Sequence, residues 1–252
     1  MKRHLKFFLL PLLIVPFAVA AYGKKHITNA EVIAEIQDRL YHARIPQHGS
    51  VNVQFDNGVA TLTGSVDSVG VRMDAQRAAR RVDDVQKVVN QITVNPDDIG
   101  WEQILVQARR EILTYPFYTI FDNVVLAARG NHLTVSGQVT QPYKKQDIGN
   151  YLEHIKGVTE FTNNLTVLPE SPIDDGIRLA IARAIYNDPY FVNYANQAIP
   201  PIHIIVDNQN VTLEGVVLNQ VDRARAQMDA QFAATYLSLK NNLQVETAKK
   251  PA

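Results

Sequence analysis

Apolar and polar residues alternate with period two in three short stretches, Val59 to Val66, His132 to Val139 and Asn210 to Val217. In a strand that period places every second side chain on one face. The buried sets are then Ala60, Leu62 and Val66, Leu133, Val135 and Val139, and Val211, Leu213 and Val217. Each stretch carries a glycine at the same place, Gly64, Gly137 or Gly215, spaced 73 and 78 residues apart. Turn-forming residues precede each one: Asp56-Asn57-Gly58, Arg129-Gly130-Asn131 and Asp207-Asn208-Gln209. Thirteen residues before the glycines stand further alternating runs, Val51/Val53/Phe55, Val124/Leu126/Ala128 and Ile202/Ile204/Val206. Twenty-six residues after them stand Asn90, Asn163 and Asn241, read as opening a third strand in each unit. Repetition at this period means tandem domains rather than a short-repeat solenoid.

Helical periodicity fills the gaps. Ile33/Ile36/Leu40, Ile104/Leu105/Ala108/Ile112 and Ile177/Ile181/Ile185 predict a helix at the start of each unit. Thr28 with Glu31 fits a capping box, and Ser171 before Pro172 fits an N-cap followed by proline at the first helical position. A second helix is predicted over 69–82, 143–154 and 220–234. The order helix, strand, strand, helix, strand gives an α+β fold of three tandem αββαβ two-layer sandwiches, each a small three-stranded sheet packed by two helices. The expected boundaries are 27–95, 99–168 and 172–246, with short polar links between them. The glycines are read as structural, marking a bulge or close packing of a helix on the sheet.

Composition adds the compartment. Lys2, Arg3 and Lys6, the apolar run Phe7 to Ala20 and the Ala18-Val19-Ala20 motif read as a signal peptide over 1–20, cleaved before Ala21. The 14-residue run is too short for a membrane span, since it rises only ~21 Å as helix. The whole chain balances 25 basic against 25 acidic residues; losing three lysines and arginines with the signal leaves 22 against 25, a charge of −3. That balance argues against nucleic acid as a partner. There is no cysteine, so no disulfide and no lipid-modified cysteine. A periplasmic, soluble product is expected.

These units resemble the BON domain, found in bacterial exported osmotic-stress and outer-membrane-associated proteins. The resemblance rests on the αββαβ order, on Asn57, Gly58, Leu62 and Gly64, and on the later run Val85, Val88, Asn90 and Ile92. It implies a non-catalytic module that contacts phospholipid or the cell envelope, and it supplies no catalytic motif. The alternative reading of the chain is a protein–protein scaffold or oligomerisation module of an envelope complex.

The remaining chemistry is sparse. The histidines are scattered without an i, i+4 pair, so no metal is expected. There is no nucleophile motif and no phosphate loop, so no cofactor is expected and no catalytic residue is assigned. Asp97-Asp98 and Asp174-Asp175 sit at predicted helix starts, where the helix dipole accounts for them. Contact with a phospholipid surface or an envelope protein is assigned to aromatics beside the first helices of units two and three, Trp101, Tyr115, Phe117, Tyr118, Tyr190, Phe191 and Tyr194. Basic residues of the second helices, Arg80, Arg81, Lys144 and Lys145, are added for acidic headgroups. The competing reading has Phe117 and Phe121 plugging the core while the tyrosines cover its edge.

Overall fold

A computed structural model describes residues 28–96 and 98–246. The expected signal peptide, its cleavage point, Asp97 and the last six residues lie outside the described residues. The order helix–strand–strand–helix–strand occurs three times. Unit one comprises α1 (Asn29–His42), β1 (Gly49–Asp56), β2 (Val59–Val66), α2 (Val69–Arg80) and β3 (Lys87–Val94). Unit two comprises α3 (Trp101–Thr114), β4 (Asn123–Arg129), β5 (His132–Val139), α4 (Pro142–Glu153) and β6 (Glu160–Val167). Unit three comprises α5 (Pro172–Tyr186), a short α6 (Val192–Ala195), β7 (Ile202–Asp207), β8 (Asn210–Val217), α7 (Gln220–Ala233), β9 (Ser238–Asn241) and β10 (Gln244–Val245).

The glycine strand is central in every sheet. It pairs antiparallel with the strand before it and parallel with the closing strand, which the second helix makes possible as a crossover. In unit three the closing strand is interrupted, but its register is continuous, Asn241 opposite Leu213 and Gln244 opposite Val216. Both helices lie on one face, and three separate cores form beneath them. The predicted β faces are buried as expected. On α1 the inward residues are Val32, Ile36 and Leu40, so Val32 takes the place expected of Ile33, which is only half-buried.

Thr28 and Glu31 form the reciprocal capping box, and the Ser171 hydroxyl accepts from the amide of Asp174. The unit-one hairpin turns through Asn57 and Gly58 at φ 46° and 79°. Unit three makes the corresponding turn with Asn208 and Gln209, at φ 48° and 62°, although neither is glycine. The buried Asp174 carboxylate accepts from both of those amides, at 3.0 and 2.9 Å. That carboxylate, expected to serve only the helix dipole, holds a turn whose sequence lacks the usual glycine.

Two sequence readings change here. The glycines do have a steric cause, but the approaching group is the adjacent strand rather than a helix. At Gly64, Gly137 and Gly215 a Cβ would lie 2.1, 2.1 and 1.9 Å from the carbonyl oxygens of Ser50, Asn123 and Pro201. Their φ of 124°, 113° and 116° also disfavours any side chain. The asparagines do not open the closing strands: β3 begins at Lys87 and β6 at Glu160, three residues earlier, because parallel pairing with the glycine strand starts there. Each asparagine is instead a clamp. Asn90, Asn163 and Asn241 donate through Nδ2 to the carbonyls of Arg72, Lys145 and Arg223 on the second helix, all at 3.0 Å. Through Oδ1 each accepts from the amide two residues on, all at 3.1 Å.

The units meet along two unlike seams. Between units one and two, Val69 at the start of α2 is buried in the core of unit two. Its amide donates to the Val158 carbonyl at 2.9 Å, and the Gly157 amide donates back to the Asp67 carbonyl at 2.8 Å. Between units two and three a loop does the work. Ile120 and Phe121 pack on the core of unit three, and the Ile120 carbonyl accepts from the amide of Ile204 on the edge strand β7 at 2.7 Å.

Candidate functional site

One position explains two of the aromatic residues, Tyr190 and Tyr194. Seven residues beyond each glycine, the second helix buries Val71 in unit one, Lys144 in unit two and Asp222 in unit three. A valine there needs nothing more. A buried charge needs partners, because desolvation without them costs several kcal/mol.

In unit two the loop after α3 and the residue after β5 supply them. Lys144 Nζ donates to Asp122 Oδ2 at 2.7 Å and to Thr140 Oγ1 at 2.8 Å. Asp122, with no exposed surface, also accepts from the amide and hydroxyl of Thr119 and of Thr140. In unit three the Tyr190 hydroxyl donates to Asp222 at 2.6 Å, and Tyr194 donates to the other carboxylate oxygen. Burial pushes the Asp222 carboxyl up, but these two hydroxyls and Asn219 outweigh it and leave it below the usual carboxylate range. Tyr194 in turn is pushed up to about 12, by burial first and then by Asp222. Unit one, with its valine, has the plain Tyr41 to Arg44 segment.

Several assigned contact residues are therefore structural. Lys144 is 5 % exposed and cannot reach a headgroup. Phe191 lies fully within the core of unit three, and Tyr194 is buried beside it. Tyr115 is buried in unit two, donating its hydroxyl to Asp147 at 2.7 Å. Tyr118 lies in the seam with unit three, its ring 5.6 Å from that of His203, and burial pushes it up to about 12. Tyr190 is half exposed but hydrogen-bonded to Asp222, with Arg225 over its ring. The competing reading fares differently: Phe121 is half-buried against unit three, whereas Phe117 faces outward and a tyrosine, Tyr115, fills the core.

What stays outside is a group on unit two. Phe117, Tyr143 and Tyr151 are 55, 46 and 46 % exposed. They fan around Tyr115 edge to face, with ring centroids 5.7 Å apart for Tyr115–Phe117, 5.8 Å for Tyr115–Tyr151 and 5.7 Å for Phe117–Tyr143. Tyr143, Asp147 and Tyr151 are spaced by four along α4, so one face of that helix meets the end of α3. The sequence reading assigned Phe117 and missed Tyr143 and Tyr151, although their spacing signals a shared face.

Trp101 is exposed too, but at the far end of α3, ~20 Å along the helix axis from Tyr115. Arg80 and Arg81 are exposed on unit one, where Arg81 lines a groove between α1 and α2 with Arg39, Arg77, Glu35 and Asp74. Lys145 is half-buried on α4. The structure thus scatters the basic residues and collects three aromatics. Among the described residues no group of three or more histidine, aspartate or glutamate side chains could hold a metal, and no helix is long and apolar enough to cross a membrane.

An uncharacterized protein in the gshII 5′ region of Anaplasma centrale is 32 % identical over 85 residues, covering 32 % of this chain. The chain spans about half, 53 %, of that curated relative's length. Two solved structures of CdsD, a structural protein of the type III secretion system of Chlamydia trachomatis, overlap 88 and 87 % of this chain and 100 and 94 % of their own length. Their identities are 15 and 16 % and their TM-scores 0.24 and 0.23, too low to bear on fold or function. The family model for the BON domain matches residues 28–96 and 174–247, the first and third units. On the strength of those two matches, covering more than half of its length, the chain belongs to the BON domain family, whose members are non-catalytic binding modules associated with the bacterial envelope.

Proposed function

We propose that this is an exported periplasmic protein that docks on phospholipid headgroups, as at the inner leaflet of the outer membrane, in osmotic or envelope stress. The middle unit, within 99–168, is then a third BON domain that carries the contact, flanked by those at 27–95 and 172–246. The shared glycine geometry and asparagine clamp support the middle unit's assignment. One observation carries the contact: the exposed edge-to-face group Phe117, Tyr143 and Tyr151. Such rings have an apolar body and, in tyrosine, a polar tip, and they settle where apolar and wet surroundings meet.

Flotation of the full chain with anionic vesicles at low salt is the test. Binding is expected, with a loss of about tenfold, roughly 1.4 kcal/mol, when Phe117, Tyr143 and Tyr151 are all replaced by alanine. Absence of binding by the unaltered chain overturns the lipid reading. A second reading, a scaffold for another envelope protein, is favoured by the outer face of α7. There Val221, Met228 and Phe232 form one exposed stripe, with Phe232 81 % exposed. Recovery of one dominant protein without lipid, from a chain that ignores vesicles, selects that reading.

A further inference from the structure

We propose that protonation of His154 closes a clasp across the seam between units one and two, and that loss of this proton on the alkaline side weakens the clasp and loosens the seam around the Val69 contact. The geometry of the ring is the first ground. Its Nε2 faces Asp74 Oδ2 of α2 at 2.8 Å, and its Nδ1 faces the Asn150 carbonyl of α4 at 2.6 Å. Both neighbours are acceptors. A neutral imidazole has one N–H and satisfies one of them; only the imidazolium donates to both.

Position is the second ground. His154 is the C-cap of α4, where a cation meets the negative end of the helix dipole. It is held against unit one without room to spare, since a Cβ at Gly70 would lie 2.6 Å from its Nδ1. Asp74 is fixed from its own side by Arg77, which also lies 3.6 Å from Glu153 of α4. The charged groups facing His154 are Asp74 and Arg77 from α2, its neighbour Glu153, and Arg110, Glu111 and Lys156 around the adjoining groove of unit two. Acids and bases balance among them, so the Asp74 contact sets the sign.

The titration runs accordingly. The hydrogen bond to Asp74 raises His154 above the ordinary histidine value, with burial opposing and the Asn150 carbonyl and the charges of Asp74 and Glu153 adding. Asp74 is lowered, by the same hydrogen bond first. The histidine contribution is complete below its unfolded value, ~6.5, and is lost as pH rises through the raised folded value. The aspartate contribution is present above its unfolded value, ~3.9, and is lost as pH falls through the lowered one. The clasp is closed from mildly acidic to neutral pH. Asp74 and Arg77 also line the groove of unit one, and His154 that of unit two, so one proton couples the two surfaces. None of this depends on which surface binds a membrane.

The absence of native cysteine makes site-directed spin labels clean. Labels on Tyr41→Cys of unit one and Gln146→Cys of unit two, both exposed, report the distance across the seam. The distance distribution is expected to be narrow at about pH 5.5 and at least about twofold broader at about pH 8.5, either side of a histidine's titration. His154→Gln, which cannot be charged, removes the pH dependence. Asp74→Asn, which leaves α4 untouched, also removes it and lowers the imidazole midpoint read by NMR. Equal widths at both pH values in the unaltered chain, or a pH response retained in both variants, overturns the proposal.

Discussion

At Gly137 the constraint is backbone against backbone. The added methyl of an alanine would meet the Asn123 carbonyl oxygen at 2.1 Å, and φ is 113°. Neither strand can yield without breaking its ladder. Gly137→Ala is therefore expected to cost about 2–5 kcal/mol in urea unfolding, combining backbone strain with overpacking. The same change at the loop glycine Gly130, where a Cβ meets nothing within 4 Å, carries only the φ strain and should cost less. The sequence singled out Gly137 from its recurrence, but a pattern of spacings says nothing about which neighbour presses on it. Lys144 was misread for a related reason. Its charge is visible in sequence, whereas its burial depends on Asp122, 22 residues away and brought close only by the fold.

Between elements, the asparagine clamp recurs in all three units. Asn163 joins β6 to α4, donating through Nδ2 to the Lys145 carbonyl and accepting through Oδ1 from the Leu165 amide. Asn163→Ala leaves the Lys145 carbonyl and the Leu165 amide without this partner. A loss of about 1–3 kcal/mol is expected, with faster hydrogen exchange at Leu165 as the local readout. Asn163→Asp, which retains the acceptor, should keep that amide protected while still weakening the strand–helix join. Element order, hydrophobic faces and both helix caps were legible in sequence because each follows from a local period or a local hydrogen bond. The aromatic loops were not. Tyr190 and Tyr194 look like a binding surface until the helix position they serve, Asp222, is seen to be buried and charged. Tyr143 and Tyr151 were overlooked because their helix was read for its lysines.

Across the whole molecule, stability is shared. Val69 belongs to α2 of unit one by chain but to unit two by packing. Val69→Ala is expected to cost about 1–3 kcal/mol. The loss should appear in hydrogen exchange of α4 and of the Val158 neighbourhood rather than in the core of unit one. If the protection lost is that of α1 and β2 instead, the seam is not where the energy resides. The exposed aromatics and the clasp both lie on or beside unit two, which the family match leaves out.

The two seams bear on how such a chain can change over generations. Unit two receives a valine from its predecessor and lends a loop to its successor. The units are alike in fold, but unit two is fitted to a particular neighbour on either side. Exchanging, deleting or inserting one would open a hole in unit two or strip the cover from β7. Gene rearrangements that shuffle interchangeable beads are thus closed to this protein, and its order along the chain has become as much a part of its structure as its cores.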